Sequence, residues 1–482
     1  MEKLDSDLII RRSIRGVFSL TSRTFFLSFI SFAAFLVVAS VLPKEEVGIY
    51  MAVMAIQRVI AFFTDFGLGA ALVQKKHELK QEDLTTTFTV QAAISLGIFT
   101  LVVIFIGPIA GFLKLNGQAQ ALLLVLVFTM FLSSFKVIPS ILLERSMRFG
   151  KLVFPQIVES IIFNVILALL VLGGQGIPSF SWAFLASSLL GIPFYYLVSP
   201  WKIGIGISRE SLHSLKYGIQ FQAKNILATI KDDLLTVILI RFLTFTEISY
   251  IGFAQKIAFF VYRYVVDSVT KVTFSAYSRA QHDLSFLKKA IEKTLFFISA
   301  SMFPLLFGLI VASPYLIRFF PKFHNKWEPA IFSIIFFCLN AAISSLSGIL
   351  VNVLDATGKV KTTLRLMVIW TILTWILTPL FIHFYGYNGV SVASFLVTLT
   401  IVYTVFLVKK IVNFRFMTSI FKPLVSAVLM VIAVYFLSNI FAKDFLSLIF
   451  VILAGGILYL ACLFGISGKE LRADLVRFGI KI

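Results

Sequence analysis

Cysteine is almost missing from this chain of 482 residues: there are two, Cys338 and Cys462, both inside long apolar runs. A disulfide framework or a thiolate metal site is therefore excluded, and the two thiols read as small apolar packing groups. Histidine is equally scarce. His77, His213, His282, His324 and His383 are scattered over connections with no ligand spacing, so no metal is expected. Charged residues make up only 14% of the chain, and acids are few, 23 against 43 Lys and Arg. Long hydrophilic stretches are absent too. The longest lie near 200–216, 277–293 and 318–328, too short for a soluble domain, so no separate catalytic module is expected and the chain does not read as an enzyme. No two-residue alternation suggests a β-barrel.

What is present in quantity is hydrocarbon. Hydrophobic residues make up 59% of the chain, with 53 phenylalanines and a mean hydropathy of +0.97. A soluble fold could not hide that much apolar surface. Runs of about 20 apolar residues, each enough to span roughly 30 Å of bilayer core, recur along the whole length. They predict an all-α integral membrane protein of about fourteen transmembrane helices. The expected spans are 16–42, 47–73, 87–112, 120–143, 153–173, 178–200, 217–242, 247–274, 294–318, 329–353, 363–384, 388–408, 418–441 and 445–466. The first is too long for a cleaved signal peptide, and acids are mixed into the basic segment before it.

The net charge of +20 invites a nucleic-acid reading, and topology gives a better one. An even number of spans puts both termini on one side. With that side cytoplasmic, 28 Lys and Arg fall on cytoplasmic connections and tails. Only Lys44, Lys114, Arg241, Arg318, Lys322, Lys326 and Lys443 fall on the other. This is a strong positive-inside asymmetry, and it accounts for most of the excess charge as topogenic contacts with anionic lipid. It predicts a multi-pass protein of the cytoplasmic (inner) membrane with cytoplasmic termini and no nucleic-acid partner.

The remaining eight cations lie inside spans, where charge is costly and usually lines a wet path. Lys136 in span 4 sits apart and reads, with Glu159 of span 5, as a structural pair. The other seven fall on spans 1, 2, 7 and 8: Arg23, Arg58, Lys224, Lys231, Lys256, Arg263 and Lys271. Arg58 and Asp65 are seven residues apart, nearly on one face, as are Lys224 and Lys231. In span 8, Lys256, Arg263, Asp267 and Lys271 fall within an arc of roughly 80°, one wet stripe on an otherwise apolar helix. Pairing of Arg58 with Asp65, of Arg263 with Asp267, or of Lys231 with Asp232 or Asp233 neutralises part of the set. Arg23 and Lys271 lie nearer the boundary and are its weakest members. The surplus of cations over aspartates predicts a hydrated, cationic cavity for an anionic cargo. Asp65, Asp232, Asp233 and Asp267 are the candidates for pairing or for coupling to a proton or Na⁺ gradient, and no other cofactor is expected. Tyrosines along these spans, such as Tyr217, Tyr262, Tyr264 and Tyr277, are candidates for stacking on sugar rings and equally for packing.

Spans 1–2 and 7–8 also look like copies, about 201 residues apart. The connection Leu42–Tyr50 aligns with Leu243–Ile251, and Asp65 falls near the position of Asp267. An offset of six spans, an even number, makes the copies parallel, which predicts a pseudo-two-fold axis along the membrane normal. Gly67 and Gly69 permit close helix packing or a hinge.

The run Phe62-Phe63-Thr64-Asp65-Phe66-Gly67-Leu68-Gly69-Ala70-Ala71-Leu72-Val73-Gln74 resembles the second-helix signature of the polysaccharide transporter family. These are the Wzx-type oligosaccharide-lipid flippases of the multidrug/oligosaccharidyl-lipid/polysaccharide superfamily. Leu142-Leu143-Glu144-Arg145-Ser146-Met147-Arg148-Phe149 is similar to that family's segment after the fourth helix. Asp355-Ala356-Thr357-Gly358-Lys359 is similar to its turn after span 10, and the span-7 aspartate before Leu-Leu also fits. Lys231-Asp232-Asp233 departs from the family's single aspartate, so which carboxylate is the counterpart stays open.

The resemblance implies two pseudo-symmetric six-helix lobes, 1–205 and 206–412, around a central cavity faced by spans 1, 2, 7 and 8. Two further helices and a cytoplasmic tail would occupy 413–482. The implied cargo is an undecaprenyl-pyrophosphate-linked oligosaccharide, such as an O-antigen, capsule or exopolysaccharide repeat unit. Polysaccharide polymerase and chain-length machinery are implied partners. Three rival readings remain at this point. An organic-cation or drug exporter suits a positive cavity poorly. A membrane glycan polymerase or ligase needs longer outer loops, and a non-transporting flippase-like scaffold leaves the surplus charge unused.

Overall fold

The computed structural model describes residues 26–64, 72, 78–146, 148–208, 211 and 229–477, apart from the side chains of 264, 275 and 469–477. The described residues are helical with no strand, as the apolar runs require: a backbone in hydrocarbon must satisfy its own hydrogen bonds. Ten helices among them are long and apolar enough to cross a membrane, with Phe26–Val41 as a shorter apolar helix. A helix stands at the place of each expected span, spans 1, 2 and 7 lying only partly within the described residues. The chain is a multi-pass, all-α membrane protein. It divides into two compact units, Met1–Ser249 and Tyr250–Ile482.

In the first unit, α1 (Phe26–Val41) and α2 (Lys44–Thr64) are joined by a tight corner. Then follow α3 (Gln81–Ile104), α4 (Ile106–Leu113), α5 (Gly117–Arg145), α6 (Phe149–Leu172) and α7 (Pro178–Val198). A π-helical turn, Ile230–Leu234, runs into α8 (Leu235–Leu239). The core is centred on α5, which packs against α2, α3 and α7. Leu72, Leu84, Phe88, Ile138, Ile141 and Trp201 form one apolar cluster there. The extended segment after α7 crosses α3, where the Gly206 and Ser208 N–H groups donate to Thr89 and Thr86 hydroxyls at 3.1 and 3.0 Å. Gly48 meets the backbone of Phe245 so closely that any Cβ would overlap the Phe245 carbonyl, so only glycine fits.

The second unit contains most of α9 (Phe245–Ala280), then α10 (Leu284–Phe319) and α11 (Ile331–Ala356). After these come α12 (Val360–Tyr385), α13 (Gly389–Thr398), α14 (Ile401–Lys409), α15 (Phe416–Phe441) and α16 (Phe445–Arg477). α11 is the most buried of them and packs against α10, α13 and α14. α15 and α16 pack on α10. α11 ends in a left-handed turn at Gly358, φ 75°, where Lys359 N–H closes back on the Leu354 carbonyl at 2.8 Å. The outward faces of α12, α15 and α16 are apolar, with Ile376, Phe436 and Phe450 among many exposed side chains, as lipid contact demands.

Prolines inside two spans free a carbonyl, and a tyrosine from another helix satisfies each. Pro139 leaves the Phe135 carbonyl without its α-helical donor, and the Tyr196 hydroxyl donates to it at 3.1 Å. Pro304 does the same to Ala300, whose carbonyl accepts from the Tyr459 hydroxyl at 2.8 Å. The second bond ties α16 to α10.

Candidate functional site

Arg58 lies beyond the middle of α2, on the side away from the buried row Ala52, Val53, Ala55 and Ile56. Its Nε donates to Asp233 Oδ1 at 2.5 Å. Lys231 donates instead to the adjacent Asp232 at 2.6 Å. The π turn makes this division: three consecutive charges cannot share one face of an α-helix, and the widened turn sends Asp233 toward α2 while Asp232 stays with Lys231. The Thr236 hydroxyl bonds back to the Asp232 carbonyl at 2.7 Å, supporting a turn whose regular ladder is interrupted. Among the described residues, the partner of Arg58 is Asp233. Asp65, the partner suggested by sequence spacing, lies outside them, as do Arg23, Lys224, Gly67 and Gly69.

In the second unit the stripe of α9 is present as a physical face. Lys256, Arg263, Asp267 and Lys271 are all exposed, while Ala254 and Ala258 on the opposite side are fully buried. Phe253 stacks on Trp327 with ring centroids 4.1 Å apart, fixing the N-terminal part of the helix. Toward the C-terminal end of α9 the Asn352 amide donates to the Thr270 carbonyl at 3.0 Å and the Thr273 hydroxyl at 2.9 Å. α11 thus sets the rotation of α9 and hence the direction of its charged face. Among the described residues no ion pair joins Arg263 to Asp267. Tyr262 and Tyr277 are packed, Tyr277 completely, so packing is the role observed for both.

Lys136 and Glu159 form the expected ion pair, with Lys136 buried in α5 and the Tyr195 hydroxyl 3.4 Å from the second Glu159 oxygen. This is a staple across α5, α6 and α7. No group of three or more His, Cys, Asp or Glu residues that could hold a metal occurs among the described residues. The π turn and the Asn352 clamp are the features that sequence reasoning missed. The crowding of Lys231-Asp232-Asp233 in an apolar helix was the signal available for the first. Nothing in an apolar helix such as α11 marks one asparagine as a clamp.

Two of the sequence segments singled out above also meet: Arg145, after span 4, donates from Nη1 to the Leu72 carbonyl at 2.8 Å. These segments are therefore fastened together within the first unit.

Known proteins agree with this architecture. The Escherichia coli (strain K12) lipopolysaccharide biosynthesis protein WzxC is 24% identical over 362 residues, covering 70% of this chain and 68% of that protein. The lipid II flippase MurJ, in an inward closed conformation, superposes with a TM-score of 0.79 at 20% identity, covering 94% of this chain and 99% of that one. An inward-facing multidrug resistance MATE transporter of the MOP superfamily gives 0.61 at 15% identity, covering 80% and 95%. These two structural likenesses speak to the fold. The family model described as "Polysaccharide biosynthesis protein" matches residues 37–332, more than half of the chain. The chain belongs to the polysaccharide biosynthesis protein family.

Proposed function

We propose that this transporter moves an undecaprenyl-pyrophosphate-linked oligosaccharide from the cytoplasmic to the outer leaflet of the inner membrane by alternating access. The observation that carries the reading is the exposed stripe on α9, where Arg263 and Lys271 outnumber Asp267 and Lys256 continues the same face, on a helix rich in Phe, Val, Ile and Ala. Such a stripe is costly in hydrocarbon and favourable beside a polyanion in a wet cavity. Guanidinium groups suit phosphate oxygens through bidentate contact, which gives Arg263 the leading role and Lys256 a supporting one. Arg58 and Lys231 would join once their aspartates yield. The lobes, 1–205 and 206–412, would rock about this fixed site while the lipid tail stays in the bilayer. With Asp232 and Asp233 engaged by cations, Asp267 is the described carboxylate available for coupling to a proton or Na⁺ gradient. Polymerase and chain-length proteins would receive the unit on the outer face.

The test is translocation of a defined lipid-pyrophosphate oligosaccharide in proteoliposomes. Arg263→Gln should reduce flipping at least tenfold while insertion and expression stay normal. Wild-type rates in that variant overturn the proposal. An organic-cation exporter would instead carry a cationic dye across the same vesicles.

A further inference from the structure

Arg58 already holds an anion. Its side chain is about half exposed, at 49%, whereas Asp233 is 21% exposed. The bond between them uses Nε and a single carboxylate oxygen, and among the described residues the two Nη groups meet no other acceptor. A guanidinium fork takes carboxylate and phosphate oxygens with the same donors, so the two ligands compete for one site. Asp233 reaches that site from a π turn, a bulge that holds one residue more than an α turn. Closing the bulge to α register would swing the Asp233 side chain by about 100°.

We infer that Asp233 is an internal competitor for the substrate's pyrophosphate at Arg58, withdrawn when the π turn closes. It is a specificity-determining residue, and the inference rests on the lipid-pyrophosphate reading above. In the empty carrier the carboxylate orients the arginine and neutralises its charge. A monoanion offers Arg58 nothing that Asp233 does not already supply. A pyrophosphate, with several charges and a second set of oxygens, displaces it. Re-formation of the pair then helps to expel the cargo on the far side. Asp232 cannot serve this way, because Lys231 holds it on the same turn. The doubled aspartate thereby acquires a division of labour: one carboxylate neutralises locally, the other competes with cargo.

Binding of inorganic pyrophosphate, and of inorganic phosphate for comparison, to the purified full chain in nanodiscs tests this by calorimetry. Asp233→Asn should bind pyrophosphate about two- to fivefold more tightly than the wild type, the range a partly exposed ion pair supplies. It should also gain affinity for phosphate and so lose discrimination. Asp233→Glu should keep wild-type affinity, and adding Arg58→Gln to Asp233→Asn should cancel the gain. Asp233→Gln serves as the neutral variant if Asp233→Asn does not fold. A carboxylate that merely props the helices would give weaker binding when neutralised, never tighter. If the wild type binds pyrophosphate and the neutral variants bind no more tightly, the competitor role is overturned and the cargo reading stands. If neither the wild type nor any variant binds pyrophosphate, the cargo reading falls and this inference falls with it.

Discussion

Replacing Lys136 by methionine would leave the Glu159 carboxylate inside the first unit without its cation. The pair is sheltered, with side-chain exposures of 9% for Lys136 and 26% for Glu159, and among the described residues the Tyr195 hydroxyl is the other hydrogen-bond partner of the carboxylate, 3.4 Å away. Removing one member of a buried pair costs about 3–5 kcal/mol because an uncompensated charge stays behind. The partial exposure of Glu159 places Lys136→Met at the lower end, about 3 kcal/mol. The double variant Lys136→Met/Glu159→Met removes both charges and keeps unbranched side chains that adapt to the gap. It should recover to within about 1 kcal/mol of the wild type, since a buried pair is seldom better than well-packed apolar groups. The measurement is unfolding free energy in mild-detergent micelles, by SDS titration followed through tryptophan fluorescence. A single variant costing under about 1 kcal/mol, or a double variant as unstable as the single, would refute the staple across α5, α6 and α7.

Three further expectations use the same titration or hydrogen exchange. Tyr459→Phe should cost about 0.5–1.5 kcal/mol, and in a Pro304→Ala background it should cost nothing measurable, because the Ala300 carbonyl regains a helical donor. Gly48→Ala should destabilise by about 1–3 kcal/mol through overlap with the Phe245 backbone, and an unchanged midpoint would contradict that contact. Asp283 caps α10, accepting from the Phe286 and Ser285 N–H groups at 3.0 Å each. The Phe286 N–H, followed by the Ser285 hydroxyl, holds its carboxyl below the usual value. A lowered folded pKa means the cap's contribution is complete above the ordinary carboxylate pKa of about 4 and is lost as pH falls through the folded value. The protection of the Ser285–Leu287 amides relative to intrinsic exchange should therefore fall below about pH 4, a trend that Asp283→Ala should lack.

Much of the architecture was legible because a bilayer leaves little choice. An apolar run of sufficient length must be a helix, so the spans from α2 to α16 were readable from hydropathy alone. The α9 stripe was legible for a related reason: charges that recur with the helical period in an apolar segment have one face to occupy. Lys136 and Glu159 could be paired because each stood isolated in its own span. The partner of Arg58 could not be read. Sequence spacing offered Asp65 on the same helix, whereas Asp233 lies on another helix and arrives through a π turn that hydrophobic periodicity does not encode. The clamp on α9 was likewise hidden, since Asn352 looks like any polar residue tolerated in a buried helix until Thr270 and Thr273 are placed beside it.

The tyrosines that answer Pro139 and Pro304 constrain the order in which this sequence can change. Losing the proline first is cheap: the helix recovers its own bond, and the tyrosine keeps its ring packing. Losing the tyrosine first strands a carbonyl that has no helical donor. Drift therefore has a permitted direction at each pair, proline before tyrosine. The pairs Pro139–Tyr196 and Pro304–Tyr459 should behave as linked characters, with proline-free helices surviving beside an intact tyrosine and the reverse combination rarely found.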